Sequence, residues 1–410
     1  MSSKKYDVIV WGATGFTGKW VAKHLFDTYG VDDKKLRWAI AGRSADKLKS
    51  VAEFMGDADL SIDQLLANSD DEASLIELTN QTKAIISTVG PYSYYGSLLV
   101  KVCAESGTHY VDLTGEVPWM REMIDAHEAA AQKSGAKIVH SCGFDSVPSD
   151  MGVYYTQKMA TKKFGQPLQK INYNLMKMKG GISGGTIASM MNVVKLAVKD
   201  KKIRKILANP YALNTDKAFR GPDRGDQKNA QFSAEIDKWT APFVMASINT
   251  RIVRRSNALM NFTYGEGFQY KEVMATAKGA KGYATAKAIA VGVKAVMVTS
   301  VTNIGRKFLG LFLPAQGEGP KVDVDNPGFY HIQFNGYTAD GEAFVSKLLG
   351  DSDPGYGSTS KMLAEAAVCL VLDELTTEGG FWTSASALGD AYLERLQANG
   401  GLSFEIVNEV

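Results

Sequence analysis

A short apolar run, Val8-Ile9-Val10-Trp11, breaks into Gly12-Ala13-Thr14-Gly15-Phe16-Thr17-Gly18, and this constrains the chain more than any other stretch. It reads as a buried strand, a tight turn and a helix that ends at Tyr29-Gly30. Each glycine has its own task in such a turn. Gly12 makes the bend, Gly15 lets backbone approach a pyrophosphate, and Gly18 lets the helix lie close to the sheet. The helix start offers free N–H groups and a positive dipole end to the anion. Thr14, Phe16 and Thr17 complete the predicted cradle.

A second signal stands where the second strand of such a unit should end, in Leu36-Arg37-Trp38-Ala39-Ile40-Ala41-Gly42-Arg43-Ser44. Chains that bind NAD place an acid there, which accepts from the ribose 2′-OH. This one has Arg43 and Ser44, with Lys47 one turn on. A guanidinium and a hydroxyl suit a 2′-phosphate, so the cofactor predicted is NADP(H). The plain alternative is a solvated arginine in a βα loop.

Strands and helices alternate up to about residue 150, and the rhythm then changes. The pattern predicts an α/β fold, a doubly wound parallel sheet of Rossmann type over 1–150. An α+β domain with a mostly antiparallel sheet follows over 151–352, for substrate or dimerisation. The C-terminal helices over 353–410 return to the first domain. The hairpin expected in the second domain spans Phe329 to Gly350, and Asp353-Pro354-Gly355-Tyr356-Gly357 turns into a helix with Met362, Leu363, Ala366, Ala367, Leu370 and Val371 on one face.

A length of 410 residues suits two domains, and a net charge of +2 lacks the basic surface that nucleic-acid binding needs. Cys103, Cys142 and Cys369 are far apart, without metal-ligand spacing, and fit a reducing compartment. The start, Met1-Ser2-Ser3-Lys4-Lys5, leads directly into the first strand. The expectation is therefore a cytoplasmic protein without a metal.

Three loops fall at the carboxyl edge of the first sheet, where ligands bind. Gly90-Pro91-Tyr92-Ser93-Tyr94-Tyr95-Gly96 follows the fourth strand: Gly90, Pro91 and Tyr92 should pass the cofactor. Its tyrosines either supply a proton or wall the cleft. In Asp112-Leu113-Thr114-Gly115-Glu116 the two acids either orient a ligand or cap the next helix. Cys142-Gly143-Phe144-Asp145-Ser146 leads into the second domain, and Asp145 and Ser146 join Tyr92 as candidates for the catalytic groups. Ser183-Gly184-Gly185-Thr186 is either a second anion site or a tight helix entry.

These residues together resemble the saccharopine-dehydrogenase-like oxidoreductases, and most closely the branch of bacterial trans-acting enoyl reductases. The likeness is carried by Gly12–Gly18, Ala41–Ser44, Thr88–Tyr92, His109–Glu116 and Gly143–Asp150. It continues through Ser183–Thr186, Gly317–Pro320, Asp353–Gly357 and Gly379-Gly380. The resemblance implies a dinucleotide-binding domain, an α+β domain and reduction of lipid-linked enoyl groups. No match is found for the dicarboxylate-binding arginines of true saccharopine enzymes.

The expected reaction is thus NADP(H)-dependent reduction of a C=C or C=O in an apolar or lipid-linked substrate. The rivals are saccharopine-type C=N chemistry and a non-catalytic NADP-binding protein on a lipid surface. An apolar cleft favours the first, several arginines the second and a blocked nicotinamide face the third. The most apolar long segment, Tyr283 to Leu313, is interrupted by Lys287, Lys294, Arg306 and Lys307. It reads either as a core or homodimer-interface helix, or as a peripheral contact with a membrane or lipid droplet.

Overall fold

The computed structural model describes residues 4–32, 34–181, 184–310 and 327–407. The first half is β1 (Tyr6–Trp11), α1 (Phe16–Tyr29), β2 (Trp38–Gly42), α2 (Ala45–Met55), β3 (Asp63–Leu66), α3 (Glu72–Asn80), β4 (Thr82–Ser87), α4 (Tyr92–Tyr95), α5 (Ser97–Ser106), β5 (His109–Asp112), α6 (Val117–Ser134), β6 (Lys137–Val139) and α7 (Val147–Phe164). Every residue of β1 is buried, as a parallel strand covered on both faces requires. The strands pair in parallel in the order β3-β2-β1-β4-β5-β6.

The second half holds β7 (Lys170–Lys179), α8 (Gly184–Lys199), α9 (Lys201–Ala208), β8 (Gln231–Ser233), β9 (Lys238–Pro242), α10 (Ala246–Leu259), β10 (Gln269–Ala275), α11 (Gly279–Thr299), α12 (Asn303–Leu309), β11 (Phe329–Tyr337) and β12 (Ala343–Gly350). Then come α13 (Thr359–Leu372), β13 (Gly380–Trp382), α14 (Ser384–Ala398) and β14 (Leu402–Ile406). The second sheet runs β8-β9-β10-β7-β11-β12-β14. All its pairings are antiparallel except β7 with β10. The predicted α/β architecture with a mostly antiparallel second sheet is therefore present, and β11 and β12 form the expected hairpin.

Two features depart from expectation. Short strands near the C-terminal end enter both sheets: β13 extends the first beside β6, and β14 extends the second beside β12. Helix α13 is not one-faced. Met362 through Leu370 are all buried, because the helix lies between the first sheet and helices α1 and α14. Its one acid, Glu365, is held inside by the Tyr29 hydroxyl at 2.8 Å and His24 Nε2 at 2.9 Å.

Helix α11 has a narrow buried stripe, Gly282, Ala286 and Ala290, and packs on β9. It is a surface helix, so the core reading of the 283–313 segment does not hold for it; residues 311–313 lie outside the described chain. Among the described residues no helix is long and apolar enough to cross a membrane.

Candidate active site

Strand order reverses at β1, with β2 and β3 on one side and β4, β5, β6 and β13 on the other. A cavity of about 470 Å³ opens where such a switch point places it, beyond the carboxyl ends of these strands. Gly12, Thr14, Gly15, Phe16 and Thr17 line one end. Gly12 has φ +85°, and a Cβ there would stand 2.6 Å from Val89 Cγ2, so only glycine fits. Gly18 lies behind the turn rather than in the cavity. A Cβ on it would stand 2.2 Å from the Gly12 carbonyl oxygen, which is the close helix approach predicted.

The fit to a pyrophosphate follows from α1. Its N-terminal residue Gly15 offers no side-chain cap, and its first turn carries no acid. The N–H groups there have no intrahelical partner and are left for an anion. Arg43 after β2 and Lys47 on α2 also line the cavity. Ser44 instead accepts the Lys47 backbone N–H at 3.5 Å and caps α2. Ser69, beyond β3, joins this end of the cavity; the sequence reading passed over β3, which is short and half exposed.

Gly90, Pro91 and Tyr92 line the middle, together with Thr88 and Val89. The Tyr92 ring forms wall, since its hydroxyl donates to the Ser87 carbonyl at 2.9 Å and accepts the Leu113 N–H at 3.3 Å. Burial pushes its phenol well above the usual range. Tyr94 reaches away to Asn192 Oδ1 at 2.7 Å.

The two acids of the second loop neither cap α6 nor line the cavity. Asp112 accepts the N–H groups of Thr114 and Ser141 and pairs with His140 Nδ1 at 2.7 Å. Glu116 accepts from the Tyr92 and Ser93 backbone, the Ser93 hydroxyl at 2.5 Å and the Ser189 hydroxyl at 3.2 Å. The loop thus fixes its neighbours and pins α8 across the cleft.

Asp145 is the one carboxylate among the described lining residues. Its side chain has no hydrogen-bond partner among them, and burial, then the Asp112 charge, push it up to about 7. Ser146 sits just behind and donates to Asn249 Oδ1 at 3.2 Å, not to the cavity. Cys142 is fully buried, and burial pushes its thiol up, away from the thiolate.

The rest of the lining includes the apolar Leu113, Met190, Met245 and Ile248, together with Asp145 and Ser189, and Tyr356 packs on Phe16 at 4.2 Å between centroids. The sequence reading missed Met245 and Ile248, which come from the segment leading into α10 and its first turn. That helix carries three buried arginines, and all are engaged elsewhere. Arg251 holds Asp226, Arg254 holds Asp223 at 2.7 Å, and Arg255 donates to the Leu213 and Phe381 carbonyls. They pin the 207–226 excursion to the core. Among the described residues the cations lining the cavity are Arg43 and Lys47. Ser183 and the 184–188 side chains, like Gly317–Pro320, lie outside the described residues.

Fold and cavity define a dinucleotide-binding chain built on two sheets, and its relatives place it among the oxidoreductases. Residues 8–139 match the family model of the saccharopine dehydrogenase NADP binding domain, and the cofactor is NADP(H). A putative trans-acting enoyl reductase of Mycobacterium tuberculosis is 37% identical, over 97% of this chain and 96% of that protein. The trans-acting enoyl reductase of Mycobacterium leprae is 33% identical over 97% of each. Saccharopine dehydrogenase (L-Glu forming) of Saccharomyces cerevisiae shares the fold, with TM-score 0.54, 14% identity, and 98% and 100% of the two chains covered. The chain belongs to the saccharopine-dehydrogenase-like family that includes the trans-acting enoyl reductases.

Proposed function

We propose that the protein reduces a polarised C=C, of enoyl type, in an apolar substrate, with Asp145 as the proton donor. The observation that carries this is the cavity lining, in which Leu113, Met190, Met245 and Ile248 occur together with one protonatable carboxyl, Asp145. The name shared by the bacterial relatives supports the same bond. Bound NADPH supplies the hydride.

The chain does the rest. The glycine turn and Arg43 hold the cofactor, while Leu113, Met190, Met245 and Ile248 seat the acyl chain and exclude water. A carboxyl near 7 is protonated in part at neutral pH and can give its proton to the carbon that becomes carbanionic. Hydride and proton together saturate the bond. Saccharopine-type C=N chemistry on a dicarboxylate finds less support, since the buried arginines serve the fold and none lines the cavity.

The test is NADPH oxidation by the full chain with three probes: a 2-enoyl thioester, a medium-chain ketone, and glutamate mixed with an aldehyde. Turnover is expected with the thioester. Turnover confined to the glutamate mixture would overturn the proposal.

A further inference from the structure

The α11–α12 surface combines two properties that rarely meet on a protein exposed to water. The first is apolar exposure. Tyr283, Val291, Met297, Val298, Val301, Ile304 and Phe308 are all exposed, Val298 at 72% and Ile304 at 83%. Tyr283, Lys287, Val291, Lys294 and Val298 recur at i, i+4, i+8, i+11 and i+15, so they share one stripe of the helix. The stripe that packs on β9 (Gly282, Ala286, Ala290) is the adjacent one, about 100° round the helix, and at its border the Tyr283 ring packs on Trp239 of β9 at 4.7 Å between centroids.

The second property is charge. Between Glu272 and Glu318 the sequence has no acid, yet it has Lys278, Lys281, Lys287, Lys294, Arg306 and Lys307. Lys278 pairs with Asp237. Lys287 lies over the Tyr283 ring, and Lys294 donates to Asn229 Oδ1. Lys281, Lys287 and Lys294 have no carboxylate in ion-pair range among the described residues.

We infer that this face docks on an anionic phospholipid surface. Apolar side chains of this size gain by leaving water, so a contiguous set of them marks a contact surface. The charge pattern selects the partner. A second copy of the chain, paired face to face through a two-fold axis, would set lysines against lysines. An anionic lipid interface accepts both halves of the pattern: the apolar side chains enter the headgroup boundary and the lysines meet phosphate. The inference does not depend on which bond the enzyme reduces.

The experiment is flotation of the full chain with phosphatidylcholine vesicles, with and without phosphatidylserine. The expected result is flotation with the anionic vesicles only, lost in high salt. Val298→Glu with Ile304→Glu should lower the bound fraction at least tenfold, with NADPH affinity and melting temperature unchanged. Lys287→Ala with Lys294→Ala, which leaves the apolar stripe intact, should lower it as well. Wild-type protein that never floats would overturn the inference, as would flotation indifferent to both variant pairs. So would a wild-type dimer that the Glu pair converts to monomer, since the face would then bind a second copy.

Discussion

The Glu116 carboxylate accepts the backbone N–H of Tyr92 at 2.7 Å. Through Ser93 and Ser189 the same carboxylate ties the Gly90–Gly96 loop and α8 together over the cofactor cleft. Glu116→Ala strands these buried donors. It should cost about 2–3 kcal/mol of stability and weaken NADPH binding, while Glu116→Gln loses less of both. Thermal melts and fluorescence titration of the two variants check the order.

Arg43 and Lys47 are the cations that line the cavity among the described residues. Arg43→Ala should cost roughly 1–3 kcal/mol in NADPH affinity, the scale of a charge-assisted hydrogen bond. NADH affinity should change little. Titration with both cofactors tests this, and an equal loss for each would assign Arg43 to the pyrophosphate instead.

Gly15 and Gly18 should fail in different ways. Gly15→Val places a branched side chain at the proposed pyrophosphate site, so cofactor binding should be lost with the melting temperature nearly kept. Gly18→Ala drives a methyl into the Gly12 carbonyl, so the melting temperature itself should fall. Differential scanning calorimetry with and without NADPH separates the two.

Asp145→Asn removes the proton but keeps the shape. It should lower kcat by about 10²–10⁴ with NADPH affinity intact. In the wild type kcat/KM should decline as pH rises through about 7, where Asp145 loses its proton. That limb should be missing from the Asn variant. A decline that persists would assign the titration to another group.

Glu272 is buried under Tyr270 and Asn249, which donate to it at 2.8 and 2.9 Å. Burial, the largest influence, pushes it up to about 7. An acid raised on folding binds its proton more tightly in the folded state. Its cost is therefore absent below the unfolded value near 4.5 and complete above 7, about 3 kcal/mol for a shift of this size. Glu272→Gln should gain stability relative to wild type as pH rises across that window. Paired urea melts at pH 5 and pH 8 measure the difference.

The dinucleotide half was legible because its signals are local. Gly12, Gly15 and Gly18 answer to sterics within one turn, and the stops at Gly30, Gly107 and Gly135 answer to backbone conformation alone. The substrate half was not. Met245 and Ile248 reach the cleft only because α10 crosses from the second sheet, and no periodicity near them reports that. Tyr92 shows the same limit at a single residue. Its position beside the cofactor could be read, but the bonds that occupy its hydroxyl come from Ser87 and from Leu113 on a neighbouring strand's loop. Apart from the Thr114 N–H on Asp112, the side-chain partners of Asp112 and Glu116 stand at least twenty residues away, so spacing could offer only generic capping or ligand roles.

The edge strands β13 and β14 have a consequence for synthesis of the chain. A nascent polypeptide that has emerged only to residue 350 lacks one strand of each sheet and the helix α13 that covers β1, β4 and β5. The glycine turn is encoded in Gly12–Gly18, yet the helix α13 that packs on β1, β4 and β5 begins only at Thr359. Contacts this distant in sequence form slowly, and an unpaired β6 or β12 edge can meanwhile recruit a wrong partner. Synthesis of α13, β13 and β14, rather than of the Rossmann half alone, is therefore the point at which both sheets first hold all their described strands.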